Sequence, residues 1–190
     1  IWPMQLIILA LAIVAVVLVY ISSKKGSQVI SFILAFFWTW MGLVYHFAHF
    51  ASINSAARIF GILFLVQAVL FIWLGGLKNR LVFKCTKGVS SIIGWVLILY
   101  AFIIYPILGR MAGHVYMSSP TFGVPCPTVI FTFGMLWFCK RPFPRYILIV
   151  PIIWSVIGGS AAFLLSVPQD LGLIAAGISG IMRLFRKETK

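Results

Sequence analysis

Two histidines three residues apart, His46 and His49 in Tyr45-His46-Phe47-Ala48-His49-Phe50, are the first candidates for chemistry in this chain. At i, i+3 on an α-helix both imidazoles project from one face, as a pair of metal ligands does. The flanking aromatics give a plainer reading, because histidines among aromatic rings are ordinary residents of a headgroup belt. Cys126-Pro127-Thr128 is the second candidate. A proline at a first helical position with a cysteine just before it puts a thiol at a helix N-terminus, suited to a soft metal or to redox chemistry. The alternative is a buried cysteine that packs as a small hydrophobe. Asp170 follows Pro168-Gln169 at the start of the last apolar run, so it is expected to cap a helix, with Arg58 or Arg110 available for an ion pair. His46, His49 and Cys126 are thus the candidate metal ligands. Arg58, Arg110, His114 and Asp170 complete a polar cluster expected at one membrane face.

The elements that must position these residues are apolar. Of 190 residues, 63% are hydrophobic, 16% aromatic and only 9% charged, and the mean hydropathy is +1.13. A soluble domain is about half apolar and about a quarter charged. The composition therefore excludes a soluble globular fold, a disordered chain, a disulfide-stapled secreted domain and a nucleic-acid binder. It predicts an all-α integral membrane protein, because a helix needs roughly 20 apolar residues to cross the hydrocarbon. The runs 3–21, 29–50, 56–77, 89–108 and 146–167 meet that length, and 124–139 and 171–185 are shorter. Together they predict one transmembrane domain over 1–190, a bundle of about seven helices. A Cys126–Cys139 disulfide is excluded if the helix between them crosses, since its ends stand about 20 Å apart.

Loop charges set the expected orientation. With seven crossings and the N-terminus outside, Lys24, Lys25, Lys78, Arg80, Lys84, Lys87, Lys140, Arg141, Arg145, Arg183, Arg186, Lys187 and Lys190 share the cytoplasmic face. Only Arg58 and Arg110 stay on the other. Positive-inside bias favours this count, with the C-terminus cytoplasmic and the cations facing anionic lipid headgroups. Gly172, Ala176 and Gly180 fall at i, i+4, i+8 in the last run, a small-residue seam that lets helix backbones approach. The chain opens at Ile1 and not at Met, so further residues are expected upstream.

Signatures of familiar membrane machinery are missing. The last span has no lysine for a retinal Schiff base, no glycine-rich phosphate loop is present, and no run of acids is embedded in the apolar stretches. Serine hydrolase and zinc protease motifs are also lacking.

Three stretches carry a resemblance: Asn54-Ser55-Ala56-Ala57-Arg58-Ile59-Phe60-Gly61, Gly123-Val124-Pro125-Cys126-Pro127-Thr128, and Gly158 to Leu173, which ends Val167-Pro168-Gln169-Asp170-Leu171-Gly172-Leu173. They resemble an uncharacterised bacterial multi-pass membrane family, domain of unknown function 6064, over nearly the whole chain. The resemblance implies a bacterial inner-membrane protein, with a short segment ahead of Trp2-Pro3, and carries over no catalytic residue. The expected function is that of a non-catalytic accessory or scaffold subunit of a larger membrane complex, partnered by other subunits or by copies of itself. A small-solute or metal transporter is the next reading. A membrane metal or redox enzyme using the His and Cys cluster is the third.

Overall fold

The computed structural model describes residues 3–113, 122–164 and 166–186. Every predicted apolar run is helical, and no strand forms among the described residues. The helices are α1 (Met4–Ile21), α2 (Lys24–Ser52), α3 (Ala57–Leu77), α4 (Val89–Met111), α5 (Pro125–Trp137), α6 (Arg145–Leu164) and α7 (Leu171–Phe185). Five of them, α1 to α4 and α6, are long and apolar enough to cross a membrane. The expected single domain divides into two compact units, Ile1–Lys84 and Cys85–Lys190.

In the first unit, α1 buries only the stripe Ile8, Ala12, Ala15 and Val19. Its remaining faces are apolar and exposed, the pattern of a helix solvated by lipid. Sequence reading starts the second run at residue 29, yet α2 begins at Lys24. Ser22 turns the chain in the left-handed region (φ 50°), and Ser23 Oγ accepts the Gly26 N–H at 2.8 Å as an N-cap. The return segment after α3 is tied back by Phe83 N–H donating to Ser27 Oγ (3.1 Å), and the end of α3 by Gln28 Nε2 donating to the Gly76 carbonyl (2.8 Å). Leu81 and Phe83 are fully buried beneath it.

The second unit is built around α5. Pro125 occupies its first turn, where a missing N–H costs nothing. Every α5 residue except Cys126 is buried, and α4, α6 and α7 pack about it. At 13 residues it is about 20 Å long. A helix enclosed by protein need not match the hydrocarbon thickness, which explains its short run. α4 and α5 approach through a glycine pair: a Cβ on Gly134 would meet the Gly94 carbonyl oxygen at 3.0 Å. In α7, Ala176 is fully buried, Gly172 lies against the Tyr100 ring and Gly180 against Phe133.

Arg183, assigned by sequence to the solvated basic face, is instead buried in the second unit. Its Nε donates to the Leu136 carbonyl at 3.0 Å and its Nη2 to the Cys139 carbonyl. The guanidinium lies 4.8 Å from the Trp137 ring centroid and 5.0 Å from that of Phe143. It serves the last carbonyls of α5, where a cation also meets the negative end of the helix dipole.

Candidate functional site

Asp170 is the anchor of the candidate site. The chain reaches it through a single 3₁₀ turn, Pro168–Asp170, and α7 starts at the next residue. The expected cap does not form: the Asp170 side chain makes no capping hydrogen bond. The carboxylate turns inward, and its Oδ1 accepts the Tyr105 hydroxyl at 2.7 Å. Asp170 is 3% exposed and Tyr105 1%.

Tyr105 is brought there by a defect in α4. Over Tyr100–Ile104 the helix widens to a π-turn, and the Tyr105 N–H donates to the Tyr100 carbonyl. In a regular α-helix residues five apart diverge by about 140°, whereas an i→i+5 turn stacks them on one face. Pro106 gives the cause, since it lacks an N–H and crowds the carbonyl four residues before it. The two rings stand 6.5 Å apart, and the Tyr100 hydroxyl donates to the Gln169 main-chain carbonyl at 2.8 Å. One irregular turn thereby holds both residues of the Gln169-Asp170 pair.

Cys126 joins the cluster from α5, where Asp170 and Tyr105 are the titratable neighbours that act on its thiol. Sequence reading sets it just before a helix begun by Pro127. In the structure the helix begins one residue before the cysteine, at Pro125, so Cys126 lies inside the first turn. Thr128 fixes the approach, accepting the Gly123 N–H at 3.1 Å and donating to the Val124 carbonyl at 2.8 Å. Next to Asp170, the Gln169 side chain is fully buried and neither polar atom of its amide has a hydrogen-bond partner. A buried amide without partners is rare and costs about 1–3 kcal/mol.

The histidines belong elsewhere. Both lie on the first unit's Met41–His49 stretch, which is π-helical and not α-helical. There the wider turn no longer stacks residues three apart. His46 is fully buried, with its ring 4.7 Å from that of Phe64 and 6.0 Å from that of Phe60, whereas His49 is exposed. The pair expected on one face thus parts, and His46 has the surroundings of a packed core histidine. Among the described residues no three His, Cys, Asp or Glu side chains gather as a metal site requires. Arg58 lies on the surface of the first unit and Arg110 on that of the second, both exposed. His114 lies outside the described residues.

Tyr100, Tyr105 and Gln169 are site residues that sequence reasoning passed over. Their signal is the five-residue spacing of two tyrosines immediately ahead of Pro106, which reads as an ordinary aromatic span until the π-turn is seen. No curated protein and no solved structure matches the chain. A family model matches residues 1–190, so the chain belongs to the family of unknown function DUF6064.

Proposed function

We propose that the protein is a multi-pass protein of the bacterial inner membrane and a non-catalytic accessory or scaffold subunit of a larger assembly. The observation that carries this reading is a groove between α6 and α7, a cavity of about 320 Å³. Ser155, Ser160 and Gly177 are its small residues, and Val156, Phe163 and Ile178 line it with apolar surface. Val156 is 70% and Phe163 72% exposed. Small residues between apolar walls are the shape into which a neighbouring subunit's transmembrane helix packs. Ser160→Phe fills the groove from an exposed position. The expected result is loss of a stoichiometric cross-link formed from Val156→Cys in native membranes, with the thermal midpoint of the purified protein unchanged. A cross-link that survives Ser160→Phe, or none in the parent protein, rejects the reading.

The same proposal sets the N-terminus outside and the C-terminus in the cytoplasm with seven crossings, supported by the distribution of cations between the helices. Reporter tags after Lys24, between Leu77 and Val89 and at the C-terminus are expected to signal cytoplasm, and a tag at Asn54 the outside. An external signal from the C-terminal tag removes the seventh crossing.

A second reading, transport of a small polar solute, is favoured by Gln169, whose partnerless amide beside Asp170 offers a donor and an acceptor inside the second unit. Metal or redox catalysis has weaker support, since Cys126 is the sole member of the expected ligand set in this cluster.

A further inference from the structure

At the opposite end of α7 from Asp170, three guanidinium groups meet in the second unit. Arg183 serves the end of α5 as described. Arg141 donates through Nη1 to the Arg186 carbonyl and through Nη2 to the Arg183 carbonyl, at the end of α7. Arg186 reaches further, its Nη1 donating at 2.9 Å to Ser90 Oγ in the first turn of α4. That helix begins after Gly88, with no side-chain cap and no acidic residue in its first turn. Its positive end therefore faces an arginine, and exposed Lys87 stands directly before Gly88. Cations belong at helix C-termini; at an N-terminus they meet like charge. Of the chain's two acidic residues, Asp170 lies about 24 Å away along α7, and Glu188 is outside the described residues. Beside these charges the surface is apolar and open, with Val89 60%, Ile92 61% and Phe185 74% exposed.

We infer that Arg186, Lys87, Ser90 and the first N–H groups of α4 form a binding site for the phosphate of an anionic phospholipid. A phosphate presents several acceptor oxygens, enough to engage an arginine, a lysine, a hydroxyl and a helix N-terminus together. It also supplies a negative charge, which no described side chain beside these cations carries. Arg141 and Arg183 are engaged with carbonyls and contribute field strength. The exposed Val89, Ile92 and Phe185 select a lipid over a free phosphate, because acyl chains cover them once the headgroup is seated.

The inference rests on the membrane reading above, and the test separates the two. The detergent-solubilised protein is titrated with phosphatidylglycerol, with phosphatidylcholine and with inorganic phosphate, and bound lipid is counted by native mass spectrometry beside a thermal melt. Retention of phosphatidylglycerol over phosphatidylcholine is expected, with affinity about fivefold weaker in Arg186→Gln and in Lys87→Gln, from one cation's share of headgroup attraction. Two variants are used so that a folding defect in one does not decide the outcome. Equal retention of the two lipids, or unchanged affinity in both variants, overturns the site. Inorganic phosphate raising the melting midpoint as far as phosphatidylglycerol also overturns it, assigning the cluster to a free anion. Recovery of the protein without detergent in the soluble fraction would instead reject the membrane reading itself.

Discussion

Replacing Arg183 by leucine is expected to lower the stability of the protein by about 1–3 kcal/mol, because the Cys139 carbonyl loses the Arg183 donor, whereas the Leu136 carbonyl keeps the Cys139 N–H. Leu136 and Cys139 present those carbonyls at the end of α5, and Arg183 is only 3% exposed. Loss of the stacking on Trp137 and Phe143 adds about 1–2 kcal/mol for a desolvated cation–π contact. Arg183→Lys keeps the charge but not the fork, so it is expected to fall between the two, holding one carbonyl at a time. A thermal melt in detergent reads both variants. Arg183→Leu melting with the parent would show that α5 ends satisfactorily without this side chain.

That prediction concerns a residue that the sequence misplaces, and the reason is physical. Charge counting treats each lysine and arginine as a solvated charge, and Lys24, Lys87 and Lys140 are indeed exposed. It misses an arginine whose donors are drawn inward by the carbonyls at a helix end. The helices themselves were legible, because hydrophobic runs of about 20 residues have few other uses. Boundaries followed local chemistry that composition does not show, such as the Ser23 cap that extends α2 back to Lys24. Asp170 and Cys126 stood out as polar residues at the ends of apolar runs, and the structure brings them together. Their partners did not stand out. Tyr100 and Tyr105 share a face only because Pro106 provokes a π-turn, and a periodicity of 3.6 sets them apart. The histidine pair failed for the same reason in reverse, since a π-helical stretch breaks the i, i+3 alignment on which it was read.

The hydrogen bond from Tyr105 to Asp170 is expected to show a coupling of about 0.5–3 kcal/mol in a double-mutant cycle, the range for residues in one hydrogen-bond network. Tyr105→Phe removes one donor from a carboxylate that is 3% exposed, and the cost is the weakened solvation of that buried group. Asp170→Leu removes the acceptor and strands the hydroxyl of a residue that is 1% exposed. Each single change leaves a polar atom unmatched, so each is expected to destabilise. The double variant removes both atoms, and it is expected to cost clearly less than the two single losses added together. Cys126 supplies a second readout, because its thiol neighbours Asp170 and Tyr105. Loss of Asp170 takes away the group that engages the thiol, and faster labelling of Cys126 by a maleimide in the folded protein is expected in Asp170→Leu, measured in a background where Cys85 and Cys139 are serine. Strict additivity of the two substitutions, with labelling unchanged, would mean that the three side chains are neighbours without being coupled.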